Sequence, residues 1–235
     1  MSHRPAGGGR ARRGLPDHVL LPHPRCLFDY GPLPEALAAT YACSGLTAFG
    51  ALRKVPARAA GAELLIVGLG GVGTAALGLA PSVVAAPVLC ADIEPGRLDI
   101  ARKRGAAGTF DAAAGDAVKQ IRRSTGGGVA AAIDFVGSER SAALAFGALA
   151  PGGTLIVVGL FGGALQLALP LLPLKQVAIR GSYVGSPVEM AELLSLGRSG
   201  SVPELPIDER PLTAAQAALD DLQAGRVVGR VVLRA

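Results

Sequence analysis

Leu64-Leu65-Ile66-Val67-Gly68-Leu69-Gly70-Gly71-Val72-Gly73 is the stretch whose reading decides the fold. Four apolar residues with β-branched members run straight into a glycine cluster, and the segment from Gly71 to Ala80 reads as a helix. A glycine-rich turn alone says little, but between a strand and a helix it acquires a mechanism. Gly68 permits the tight turn, Gly70 lets a diphosphate approach the backbone, and Gly73 lets the helix lie close against the sheet. Free N–H groups and the positive end of the helix dipole then converge on an anion. The stretch therefore predicts a dinucleotide-binding unit.

Nineteen residues beyond Gly73, at the end of a second strand, stands Asp92. A carboxylate there accepts hydrogen bonds from the adenosine ribose hydroxyls and repels a 2′-phosphate. Ile93 and Glu94 follow, with no Arg among them to neutralise such a phosphate, so NAD is favoured over NADP.

Outward from this unit, strands and helices alternate. Strands are expected at Glu63 to Val67, Pro87 to Ala91, Thr109 to Phe110, Val129 to Phe135, Thr154 to Val158 and Gln176 to Tyr183. Helices are expected at Gly71 to Ala80 (interrupted at Pro81), Pro95 to Arg104, Ala113 to Arg123, Ser138 to Leu149 and Pro187 to Leu196. Short strands alternating with helices indicate an α/β fold with a doubly wound parallel sheet, the Rossmann arrangement. Four regions follow: a flexible basic tail (1–14), a lobe remnant with connecting helices (15–58), the nucleotide-binding domain (59–190), and a C-terminal helix and strand returning to that second lobe (191–235). In the flanks, Asp17 to Leu21 reads as a strand, Pro34 to Val55 as one or two helices, Thr213 to Ala224 as a helix and Arg226 to Arg234 as a final strand.

Composition agrees with a covered parallel sheet. Half the residues are apolar and 17% charged, which excludes a disordered chain; aromatics are only 4%, so Ala, Val, Leu and Ile must fill the core. The net charge of +5 is concentrated at one end: Arg4, Arg10, Arg12 and Arg13 leave the other residues near +1 (5 less 4). That distribution argues for a solvated tail and against a nucleic-acid partner. Cys26, Cys43 and Cys90 are odd in number with no CxxC spacing, which argues for a reducing, cytoplasmic setting and against a disulfide framework. Leu155 to Leu174 is apolar and long enough to cross a bilayer. Gly159, Gly162, Gly163, Pro170 and Pro173 break it into a strand and a loop, so no membrane span is expected.

From about Asp17 onward the chain resembles the medium-chain, zinc-dependent alcohol dehydrogenases. The resemblance rests on Ala42-Cys43-Ser44-Gly45-Leu46-Thr47-Ala48, Gly68 to Gly73, Ala91-Asp92-Ile93, Asp134-Phe135-Val136-Gly137, Gly152-Gly153 to Gly159, and Gly225-Arg226-Val227-Val228-Gly229-Arg230. Six blocks in the same order are more specific than any one of them.

The resemblance implies an oxidoreductase that moves a hydride between an alcohol or aldehyde and NAD. By position, Leu69, Gly70, Gly71 and Val72 would lie along the pyrophosphate. Asp92 and Arg97 would hold the ribose, and Val136, Val158, Gly159 and Leu160 would pass beside the coenzyme. Backbone at Ser182 and Val184 would meet the carboxamide, Thr47 would pack on the nicotinamide, and Arg230 would reach back to the diphosphate. Cys43 takes the position of one of three protein ligands of the catalytic zinc. The other two, with the GHE motif, the proton relay and a four-cysteine structural zinc loop, belong to a catalytic domain that this sequence does not match, so zinc and turnover are in doubt. A shortened gene is the simplest account, with an inactive NAD-binding or dimerisation module as the alternative. The family's Rossmann domains pair through the sixth strand, which implies a homodimer through Val177 to Tyr183. The final strand, Val227 to Leu233, is expected to lack partners beyond the Asp17 to Leu21 remnant.

Overall fold

The computed structural model describes residues 21, 23–57, 61–200, 202 and 205–234. The basic tail and most of the strand expected at Asp17 to Leu21 lie outside the described residues. β1 (Leu64–Val67), β2 (Val88–Asp92), β3 (Gly108–Asp111), β4 (Val129–Asp134), β5 (Leu149–Val157) and β6 (Ala178–Gly181) form one sheet in the order β3-β2-β1-β4-β5-β6. Every neighbouring pair is parallel. The order reverses at β1 and β4, and ligands of such sheets bind outside the strand ends at that switch point.

Side-chain alternation along β1 explains the two cores. Leu64 and Ile66 point to one face with Cys90, Ala131, Ile133 and Ile156. There they meet α2 (Leu46–Leu52), α3 (Gly71–Val83) and α8 (Pro187–Arg198). Leu65 and Val67 point to the other face, with Leu89, Ala132 and Leu155, against α5 (Ala117–Ser124) and α6 (Glu139–Gly147). Each fully buried Leu or Ile contributes roughly 1.5–3 kcal/mol. Burial on both faces is why β1 and β4 read as continuous apolar runs.

Several boundaries differ from the sequence reading. α3 does not stop at Pro81 but runs on to Val83, because one missing N–H costs one hydrogen bond while the packed apolar face is retained. β5 reaches back to Leu149: Val129 faces Leu149 and Ala131 faces Thr154, so Pro151-Gly152-Gly153 bulges out of the ladder. The expected loop before β6 holds a one-turn helix, α7 (Leu171–Lys175), closed by Gln176 in the left-handed conformation. β6 itself is shorter than Gln176 to Tyr183.

The expectation that the final strand lacks partners is wrong. β8 (Arg230–Arg234) pairs in parallel with β7 (Ile207–Pro211), the crossover being supplied by α9 (Ala215–Gln223). Ile207-Asp208-Glu209-Arg210-Pro211 hides its strand character behind three consecutive charges. Those charges are paired: Arg210 with Asp208 and Asp221, both at 2.7 Å, and Arg234 with Glu209 and with Glu35 at 3.2 Å.

Candidate functional site

The glycine turn is shaped by backbone contact. Gly68 has φ +88°, a region in which a side chain is strained. A Cβ on Gly73 would stand 1.8 Å from the Gly68 carbonyl oxygen, so no larger residue lets α3 start where it does. A Cβ on Gly70 would meet no atom within 4 Å. Packing does not demand glycine at Gly70, and its bare edge faces a cleft.

That cleft has a volume of about 570 Å³. Gly68, Gly70, Gly71 and Val72 of the turn line it, together with Asp92 and Arg97 after β2 and with Val136, Arg140 and Phe161. Asp92 is buried, at 4% exposure, and its charge is satisfied by the N–H of Leu69 to Oδ2 at 2.5 Å and the N–H of Glu94 to Oδ1 at 2.9 Å. The Arg97 guanidinium lies 3.7 Å away. Arg230 comes from β8 and lies over the turn: a Cβ on Gly71 would sit 2.6 Å from its Nη1. The amides that open α3 have no intrahelical acceptor and stay free for an anion.

Sequence reasoning gave no role to Thr74, Asp134 and Ser141. The Thr74 hydroxyl donates to the Leu69 carbonyl at 2.9 Å. Asp134, fully buried at the end of β4, accepts from the amides of Val136 (2.9 Å) and Gly137 (3.0 Å) and from the Ser141 hydroxyl (2.9 Å). A buried carboxylate is tolerated when it is this fully hydrogen-bonded. Asp134 thereby fixes the loop that carries Val136. The signal in the sequence is an aspartate at a strand end, followed by Gly137 and Ser138.

Val136 and Gly159 touch where the loops after β4 and β5 cross. A Cβ on Gly137 would stand 1.9 Å from the Gly159 oxygen, and one on Gly159 would stand 2.0 Å from the Val136 carbonyl carbon. Val158 is buried, whereas Leu160 and Phe161 are exposed at 80% and 83%. Ser182 is buried with its Oγ lacking any hydrogen-bond partner, and Val184 adopts φ +49°. The Val184 carbonyl lies so close to α2 that a Cβ on Gly50 would be 2.8 Å from it.

Cys43 and Thr47 lie elsewhere on the chain, on the helical segment before β1. α1 (Glu35–Thr40) passes into a single wide π turn (Tyr41–Gly45) and then into α2. Thr40 Oγ1 donates to the Leu37 carbonyl at 2.7 Å and Ser44 Oγ to the Thr40 carbonyl at 3.0 Å, contacts that loosen a helical ladder. Cys43 is an exposed free thiol on that turn and Thr47 is half-buried. Cys26 is also exposed and Cys90 buried; burial, with the neighbouring Asp92 charge, pushes the Cys90 thiol up to about 12. Among the described residues no three His, Cys, Asp or Glu side chains come together to hold a metal. Catalytic zinc takes three protein ligands, so the described residues do not fit the metal that Cys43 suggested.

Comparison with known proteins places this geometry. The family model described as zinc-binding dehydrogenase matches residues 71–199. An NAD-dependent alcohol dehydrogenase of Sulfurisphaera tokodaii is 34% identical over 218 residues, covering 92% of this chain and 63% of that protein. The chain thus spans less than two thirds of this relative's length. The crystal structure of the Aeropyrum pernix alcohol dehydrogenase superposes with a TM-score of 0.78 at 36% identity, covering 85% of this chain and 58% of that one. Acetophenone reductase from Geotrichum candidum, solved in complex with NAD, gives 0.75 at 25% identity, over 86% and 56% of the two chains. The sheet order, the glycine turn and the family match converge, and the chain belongs to the zinc-binding dehydrogenase family.

Proposed function

We propose that this chain binds NAD(H) and forms the coenzyme-binding part of an alcohol dehydrogenase-type oxidoreductase. The observation that carries the reading is Gly70, bare and open on a cleft with Arg230 over its helix end and the buried Asp92 at the ribose position. The turn amides and Arg230 bind the diphosphate, while Asp92 and Arg97 orient the adenosine ribose. The carboxylate also excludes a 2′-phosphate, which selects NAD over NADP. In this reading the backbone at Ser182 and Val184 meets the nicotinamide carboxamide, Val158, Gly159 and Leu160 pass beside the ring, and Thr47 packs against it. Bound NAD supplies the hydride acceptor for oxidation of an alcohol to an aldehyde or ketone.

The experiment is an NADH fluorescence titration of the 235-residue polypeptide, run beside alcohol oxidation with added zinc. Binding without zinc-dependent turnover is the expected result. Folded protein that neither shifts NADH emission nor releases heat with NAD overturns the proposal.

A second property rests on β6, the outer strand of the sheet, where Ile179 is exposed at 40% and Leu174 and Tyr183 lie bare nearby. An open apolar edge invites pairing with its own copy, and we read this chain as a homodimer joined through residues 177–183. A monomer in light scattering at high concentration rejects that. The free thiols at Cys26 and Cys43 suit a reducing cytoplasm, and no helix among the described residues is long and apolar enough to cross a membrane.

A further inference from the structure

Leu69 sits at the apex of the glycine turn, buried, with its peptide tied at both ends. Its N–H reaches Asp92 Oδ2 at 2.5 Å, and its carbonyl accepts the Thr74 hydroxyl at 2.9 Å. Asp92 is itself held through the Glu94 amide that precedes α4 (Pro95–Lys103). One buried carboxylate therefore ties β2, the start of α4 and the phosphate turn together. The turn needs such a tie, because Gly68, Gly70 and Gly71 have more backbone freedom than any other residues and impose little order of their own. A carboxylate has about four lone-pair positions, so two amides still leave acceptors for ribose hydroxyls.

We propose that Asp92 is a positioning residue for the diphosphate, independent of its contact with the ribose. By clamping the Leu69 amide it aims the amides of Gly71 and Val72 into the cleft. The inference rests on the NAD reading above and deepens it. Its consequence is that Asp92 cannot be exchanged to alter coenzyme choice without loosening the grip on every diphosphate ligand.

Two probes separate the roles: ADP, and 2′,3′-dideoxy-ADP, which keeps the diphosphate and adenine but has no ribose hydroxyls. Both are titrated by calorimetry into the full chain and into its Asp92→Asn and Asp92→Ala variants. If Asp92 acts on the ribose alone, the dideoxy ligand binds all three proteins equally, or binds the variants more tightly once a negative charge is gone. Positioning predicts the opposite: at least about fivefold weaker dideoxy-ADP binding in Asp92→Asn and more in Asp92→Ala, since the retained oxygen of Asn still accepts one amide. Amide exchange at Leu69, read by NMR without ligand, should quicken in both variants. Should Asp92→Ala fail to fold, Asp92→Asn and its Leu69 exchange rate decide. Unchanged dideoxy-ADP affinity with unchanged Leu69 exchange overturns the inference. Failure of the unsubstituted chain to bind ADP and NADH overturns the NAD reading instead.

Discussion

The cleft at the glycine turn and the neighbourhood of Cys43 are built on opposite terms. At the strand ends the buried carboxylates of Asp92 and Asp134 each accept two backbone amides, Asp134 a hydroxyl as well, and glycines interlock backbone with backbone at Gly68–Gly73 and Gly137–Gly159. Cys43 lies bare on a loosened helical turn with no companion ligands among the described residues. A phosphate site is made mainly from contiguous backbone, so one strand-turn-helix contains nearly all of it. A metal site gathers side chains from distant segments, and one segment can hold only its own share.

The sharpest way to break the comparison is Gly73→Val. Its Cβ would overlap the Gly68 oxygen, so either α3 shifts or the turn opens. NADH binding should vanish and stability should fall by about 4 kcal/mol, roughly 8 °C or more in Tm for a chain of this size. Retained binding with an unchanged melting curve would show that the turn is not a backbone device. Asp134→Ala comes next. It leaves two amides and a hydroxyl facing a void, at about 3 kcal/mol, or roughly 6–12 °C in Tm by calorimetry. If that variant melts like the parent, Asp134 does not hold the Val136 loop.

The sheet was legible because its evidence is local: Leu64 to Val67 followed by Gly68 states both strand and turn, and Asp92 stands at the spacing a second strand requires. The roles of Thr74 and Asp134 were not legible, since they lie in the groups the folded backbone turns toward them, the Leu69 carbonyl for Thr74 and the Val136 and Gly137 amides for Asp134, not in residue type. β7 was hidden for a different reason. Asp208, Glu209 and Arg210 obscure the alternation of a strand, and only their ion pairs with Asp221, Arg234 and each other make a paired strand of them. Cys43 shows the converse, a residue whose sequence context promised a zinc ligand and for which the described residues supply no partners.

Arg230→Ala probes the side chain of β8 that lies against Gly71 at the glycine turn. Arg230 makes no ion pair among the described residues, so folding loses little and Tm should stay within about 2 °C. A guanidinium on a diphosphate is a charge-assisted contact, and its removal should weaken NADH about tenfold, near 1.4 kcal/mol. Equal affinity in a fluorescence titration would remove Arg230 from the site and leave β8 purely structural.

Cys43→Ser should change least, and that is its use. One thiolate in water competes poorly for zinc, because structural sites use four protein ligands and catalytic sites three. After equilibration with zinc and gel filtration, the parent chain and the variant should both carry well under one metal per chain, with the same NADH affinity. Stoichiometric zinc in the parent, lost on substitution, would mean that further ligands come from outside the described residues. The two regions would then differ in how far apart their parts lie in sequence, and no longer in whether the parts are present.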